Sequence, residues 1–315
     1  MIVSDSAVDS VMESPQEMAA LLARSMSAGT IIRAHEPLAK RTTLRVGGPA
    51  DLYIEPGDET DLAAVLQFAA EQKIPFFVLG RGSNLLIKDS GFRGIAISLA
   101  KEHFSQIEPF GPGLRCGAGA RLKQVAITAR RQALSGMEFL EGIPGSVGGA
   151  LRMNAGAMDS ATFDVVETVR LMDFQGNIAE KTPRDLVVEY RACKTLKNHI
   201  ALSAVLRGRP AVREAIEAMM NQFSRKRWQS QPAAPSAGCM FKNPPTIPAG
   251  KLIDELGLKG LRVGAAVVSQ EHGNFIMNEG KATARDVLEL IALIQRRARE
   301  ERAIELQTEV EIIGD

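Results

Sequence analysis

Two glycine-rich stretches hold the residues best suited to chemistry. One is Gly80, Arg81, Gly82, Ser83, Asn84 and Leu85. The other runs from Glu141 to Ala157 and includes Gly142, Ile143, Pro144, Gly145, Ser146, Gly148 and Gly149. Glycine lacks a Cβ, so successive backbone N–H groups can close around an anion and form a nest for phosphate oxygens. A lone Gly-x-Gly after a strand reads first as a plain turn. Two loops of this density in one chain point further, to a diphosphate, and a dinucleotide is the simplest ligand that engages both. The Rossmann fingerprint is absent: in Gly117-Ala-Gly-Ala-Arg-Leu122 a leucine stands where the third glycine belongs. There is no Walker lysine pattern either. The four histidines are scattered without zinc spacing. Cys116, Cys193 and Cys239 form neither a CxxC pair nor a disulfide framework.

Hydrophobic periodicity shows what must position these loops. Asp51–Glu55 alternates as a strand does. Thr60 is placed to cap a helix over 61–72, with Leu62, Val65, Leu66 and Ala69 on one face. The apolar run Phe76–Leu79 then leads directly into Gly80, giving a β-α-β unit with its glycine loop at a strand's C-terminal end. Short strands are expected at 94–99 and 113–119, a helix at Leu122–Arg131, and strands at 165–172 and 202–207. Pro210 is expected to open a long helix reaching about Gln229. Beyond it come strands at 265–269 and 274–278, a helix from Thr283 to Ala303 with Thr283 and Asp286 as a capping box, and a last strand at 308–313. A short helix starting near Pro15 lies in an N-terminal extension. These elements divide into residues 1–30, 31–98, 99–208 and 209–315.

A net charge of +1 with no basic run gives no electrostatic support for a nucleic-acid or membrane-surface partner. The longest apolar stretches, such as Ile74–Leu79, are far too short to span a bilayer. The acidic N-terminus does not read as a signal peptide. With so few, scattered cysteines, a reducing cytoplasm is the expected location.

Several segments resemble one family closely. They are Glu141–Ala150, then Met153-Asn154-Ala155-Gly156-Ala157, the pair Tyr190-Arg191, Ser236-Ala-Gly-Cys-Met-Phe-Lys-Asn-Pro244, and Gly250-Lys-Leu-Ile-Asp-Glu-Leu-Gly-Leu-Lys-Gly260. Together they are similar to the UDP-N-acetylenolpyruvoylglucosamine reductases, from about residue 35 to the C-terminus. The resemblance implies an α+β protein: a two-subdomain FAD-binding domain of the p-cresol methylhydroxylase type, plus a C-terminal α+β substrate domain. It implies non-covalent FAD, held by both glycine loops with Asn154, Ala155, Gly156 and Tyr190. NADPH is the implied reductant, and UDP-N-acetylglucosamine enolpyruvate the implied substrate in peptidoglycan precursor synthesis. A monomer is expected. Tyr53 and Tyr190 are the only tyrosines, which suits the shorter class of the family, lacking a substrate-covering tyrosine loop.

In the family reaction hydride reaches C3 of the enolpyruvyl ether and a proton reaches C2, by way of an enolate on the substrate carboxylate. The resemblance gives Arg191 and Glu309 the task of stabilising that enolate. Arg191 read without it is equally a strand-end ion pair. Glu309 and Glu311 share a strand face; Glu309 is preferred because the family acid directly precedes valine. Cys239 stands where the family often has serine and is the implied proton donor; its bland alternative is a small buried turn residue. A free thiol ionises near about 8.5 and nearby cations lower that value, so an alkaline loss of activity is expected. Cys193 also replaces a common serine, as a packing variation. Arg227, Lys242 and Asn243 are candidates for the sugar-nucleotide diphosphate. Trp228 reads as a packing residue rather than a uracil platform.

Overall fold

A computed structural model describes residues 14–314. The N-terminal stretch on which the signal-peptide expectation rests lies mostly outside the described residues. Helix α1 (Pro15–Ala23) starts at a complete capping box between Ser14 and Glu17. It docks through Leu22, which is buried in the main core. The hydroxyls of Ser27 and Thr30 then donate to the carboxylate of Asp61, fastening the extension to the next helix.

Strands β1 (Ile31–Pro37), β2 (Pro49–Glu55), β3 (Phe76–Val78), β4 (Leu85–Ile87) and β5 (Phe92–Ile97) follow. Four of them make a sheet in the order β1-β2-β5-β3, with β2, β5 and β3 parallel. Helix α2 (Glu59–Glu71) is the crossover. It starts earlier than expected because Asp58, not Thr60, is the cap: the Asp58 carboxylate accepts from the Asp61 N–H.

The second layer holds α3 (Glu102–Ser105), β6 (Ile107–Phe110), β7 (Gly113–Gly117), α4 (Leu122–Arg131), α5 (Val147–Met153), β8 (Val166–Asp173), β9 (Ile178–Lys181) and β10 (His199–Arg207). Its antiparallel sheet runs β9-β8-β10-β7-β6. Helix α6 (Arg213–Ser230) begins after Pro210, because Pro210 is paired with Leu134 in a short ladder. A proline fits that edge position, having no N–H to give. The buried face of α6, Ile216 and Met220, joins the large core beneath this second layer.

The C-terminal part contains β11 (Ser236–Cys239), α7 (Ala249–Glu255), β12 (Arg262–Val263), β13 (Ala266–Val268), β14 (Phe275–Asn278), α8 (Ala284–Arg302) and β15 (Glu311–Ile313). The sheet order is β11-β14-β13-β12. The expected Thr283–Asp286 capping box is present. Val287, Leu290, Ile291, Ile294 and Ala298 recur at helical spacing along α8 and close the core of this part.

The last strand is shorter than the alternation suggested. Thr308 makes only an isolated bridge to Phe241, whereas Glu311–Ile313 pair in parallel with Leu85–Ile87 of β4. The chain therefore changes partners at Glu309 and Val310, whose N–H groups both approach the Met240 carbonyl, at 2.8 and 3.5 Å. Strand β4 is correspondingly two-sided. Leu86 packs into the C-terminal core and Ile87 into a smaller cluster with Leu38, Tyr53 and Leu79. Alternate side chains of one strand thus join two cores. Leu86→Ala should lower unfolding stability by about 2–5 kcal/mol, the usual cost of emptying a buried leucine site. Urea denaturation checks this; an unchanged midpoint would mean that β4 is no joint.

Candidate active site

The strand-to-loop transitions of the three parts face one cavity of about 1470 Å³. Both glycine loops line it, together with Ala155, Gly156, Arg191, Arg227, Cys239 and Glu309.

The first loop is shaped by its own backbone. Gly82 has φ +62°, and a Cβ there would lie 2.4 Å from the Arg41 carbonyl oxygen, so the protein itself requires glycine. Among the described residues, none of the N–H groups of Gly80, Arg81, Gly82, Ser83 and Asn84 donates to a protein acceptor. The second loop differs. The N–H groups of Gly145, Val147 and Gly148 are spent on the carbonyls of Ile143, Ala120 and Ala118. Its contribution is space: a Cβ on Gly142, Gly145 or Gly149 would meet no protein atom closer than 3.4 Å. The first loop therefore offers free amides, and the second a smooth wall.

A third stretch was not anticipated. Ala118–Leu122 also lines the cavity. It is the Gly-x-Gly segment set aside for lacking a Rossmann pattern, and its signal was the arginine that follows. Arg121 and Arg81 have no carboxylate partner among the described residues. Burial, and then the charge of Arg121, press the Arg81 guanidinium below its ordinary pKa. Two facing cations without a counter-ion suit a bound diphosphate. Around the whole cavity nine lysines and arginines face three carboxylates, Glu55, Glu309 and Glu311. The unpaired amides, the open glycine wall and this cationic lining fit FAD, which the Gly80–Leu85 loop, Arg81 and Arg121 would hold by its diphosphate.

Arg191 sits in the left-handed region, at φ +56°, as the second residue of a two-residue turn between Glu189 and Ala192. That conformation is uncommon for arginine and is held from outside. The Asn154 side chain donates to the Glu189 carbonyl and accepts from the Phe163 N–H, while its own backbone ends α5 at φ 38°. Asn154 does not line the cavity. The structure shows it anchoring the turn that carries Arg191. Tyr190 is also off the cavity, 58% exposed.

Arg191 Nε is buried and lies 3.1 Å from Glu309 Oε1, an ion pair off the axis of a good hydrogen bond. Its Nη1 donates weakly to the Gly156 carbonyl at 3.4 Å. Glu311, the other acid on this strand, pairs instead with Arg152, which also donates to the Leu196 carbonyl. Burial raises the Glu309 pKa, against the pull of Arg191 and Lys242.

Cys239 feels both partners of that ion pair. Burial first, and the Glu309 carboxylate second, push its thiol up to about 12, while Arg191 and the Asn274 side chain pull the other way. The expected lowering by cations is thus reversed, because desolvation and a carboxylate outweigh one guanidinium. The thiol stays protonated throughout the neutral range, and no alkaline limb near the usual thiol value should arise from it. Asn243 and Lys242 also sit differently from expectation. The Asn243 side chain accepts from the Ala249 N–H at the start of α7, and neither residue lines the cavity. Trp228 is not packed either: it is 62% exposed at the cavity rim.

Comparison with known proteins decides the lineage. The family model for the C-terminal domain of UDP-N-acetylenolpyruvoylglucosamine reductase matches residues 231–313, and an FAD-binding domain model matches residues 50–181. The reductase of Clostridioides difficile is 41% identical over 90% of this chain and 94% of its own. That of Nitrobacter hamburgensis is 42% identical over 89% of this chain and 92% of its own. The chain belongs to the UDP-N-acetylenolpyruvoylglucosamine reductase family. The crystal structure of the Thermus caldophilus reductase superposes with a TM-score of 0.77 at 39% identity, covering 90% of this chain and 99% of that one. The expected α+β fold with an FAD-binding domain is borne out, and the chain is an FAD-binding oxidoreductase. No described helix is long and apolar enough to cross a membrane.

The half-buried thiol gives a test independent of any role. Iodoacetamide should alkylate Cys239 at pH 8 on the order of 10³-fold more slowly than an exposed thiol, because only the thiolate reacts. Mass spectrometry of the modified peptide should show the rate still rising above pH 10. A plateau by pH 9 would contradict this ordering of charges.

Proposed function

We propose that the chain reduces UDP-N-acetylglucosamine enolpyruvate to UDP-N-acetylmuramate, with NADPH as reductant, in the cytoplasm. The observation that carries the reading is the meeting of Arg191, Glu309 and Cys239 on one wall of a cavity whose other walls fit FAD. The bound FAD supplies the hydride received at C3 of the enolpyruvyl group.

The side chains answer the charge that then develops. The Arg191 guanidinium, fixed by its turn and by Glu309, is placed to take the growing negative charge on the substrate carboxylate. Glu309, whose pKa burial raises against the pull of Arg191, pairs with that guanidinium and holds it toward the enolate oxygen. Cys239, protonated across the working range, supplies the proton to C2. A thiol held near about 12 behaves here as serine would, which accounts for the exchange of one for the other at this position. Arg227, half-buried in the cavity, takes the diphosphate of the sugar nucleotide. Lys242 contributes its charge at Glu309, and Asn243 fixes the turn behind it.

NADPH should be consumed when the enolpyruvyl sugar nucleotide is added to the flavinated protein. Arg191→Ala and Glu309→Gln should keep flavin and its reduction by NADPH, while reoxidation by substrate slows about 10²–10³-fold. Cys239→Ala should slow it about 10²–10⁴-fold, and Cys239→Ser should restore most of the rate. Stopped-flow absorbance separates the half-reactions. Loss of reduction with normal reoxidation would overturn these roles.

A further inference from the structure

The chain has one tryptophan, and it occupies an unusual place for so large an apolar side chain. Trp228 lies in the last turn of α6, 62% exposed. It lines the rim of the large cavity and, on its other side, a shallow depression with Asn221, Ser224 and Arg225. Consecutive helix residues diverge by roughly 100°. The neighbouring Arg227 accordingly points inward. Its Nε donates to Gln231 Oε1 at 3.2 Å, and its Cδ stands 4.0 Å from where a Cβ on Gly142 would be. It makes no close ion pair among the described residues: Glu141, the carboxylate whose charge reaches it, is paired with Lys123, so the rest of its guanidinium is available to an anion. The same guanidinium lies 5.5 Å from the Trp228 ring centroid.

A braced cation inside and an open indole at the rim match the two ends of a nucleoside diphosphate. We propose that Trp228 is a stacking platform for the base of a nucleoside diphosphate whose phosphates meet Arg227. This rests on the cavity being the reductase site. Besides the resident FAD, two ligands of that site carry such a base: the sugar nucleotide and the dinucleotide reductant. Every base has a π-face, so stacking alone does not choose between them. The platform is separate from the groups that act on the enolpyruvyl carbons and bears on binding of the nucleotide.

Because Trp228 is the only tryptophan, the indole emission band of the flavinated holoenzyme, selectively excited, reports on this side chain. Titration with UDP, and separately with 2′,5′-ADP as the nucleotide half of the reductant, should give a saturable change with one of them, and that one identifies the base. Trp228→Ala should raise KM for the corresponding substrate roughly 5- to 150-fold, the fold-change equivalent of one aromatic–base stack. Trp228→Phe should recover most of that loss. Met219→Ala, on an exposed position of the same helix away from the cavity, serves as the control and should leave KM as in wild type. No emission change with either nucleotide, together with wild-type KM values in Trp228→Ala, would overturn the proposal. Wild-type turnover measured alongside tests the reductase reading separately.

Discussion

The site depends on a hydrogen-bonded join between the first glycine loop and the C-terminal end of the chain. The Asn84 side chain donates to the Glu309 carbonyl, and the Glu311 N–H donates to the Asn84 carbonyl, both at 3.0 Å. One residue on, Leu85 enters its ladder with Glu311. On the other flank Thr43 binds the Gly82 carbonyl through its N–H and donates its hydroxyl to the Ser236 carbonyl at 2.6 Å. The loop with free amides is thus the same piece of backbone that holds Glu309 and the strand leading to Cys239. Residues more than 200 positions apart in sequence, Asn84 and Glu309, are set against each other by two-atom contacts rather than by domain packing alone.

From that join the electrostatics follow. The chain is almost neutral, yet its cavity is strongly cationic. Three of the nine cations are paired with acids: Arg41 with Glu36 and Glu55, Arg152 with Glu311, and Arg191 with Glu309. The remaining six face the space that anionic ligands fill. Burial is what lets one carboxylate matter so much. It sets the Cys239 thiol against Glu309 in a poorly solvated corner, where the local charge order outweighs the habit of a thiol in water.

Much of this was legible in the sequence, for identifiable reasons. Helices with strong periodicity, such as Leu122–Arg131, or with a local cap, such as the Thr283-capped α8, were readable because their signals lie within a few residues. The glycine loops were readable because only backbone conformation and close approach demand such density. What was hidden depends on distant partners. Pro210 looked like a helix start, but the short strand Leu134–Ser135, just after α4, claims it. Asn154 was expected at the flavin, but the hydrogen bonds of its side chain to Glu189 and Phe163, distant in sequence, could not be read there. The cationic role of Arg121 and Arg152 cannot be seen until the fold gathers them. The choice between Glu309 and Glu311 could not be made from alternation, which treats them alike; in the structure each has its own arginine.

The most direct test of this coupling is hydrogen exchange of the backbone amides with and without FAD. If the first loop and the last strand are one unit, adding FAD to the flavin-free protein should slow exchange of the Glu311–Ile313 amides along with those of Gly80–Leu85. Protection confined to the two glycine loops, with Glu311–Ile313 unchanged, would contradict the account.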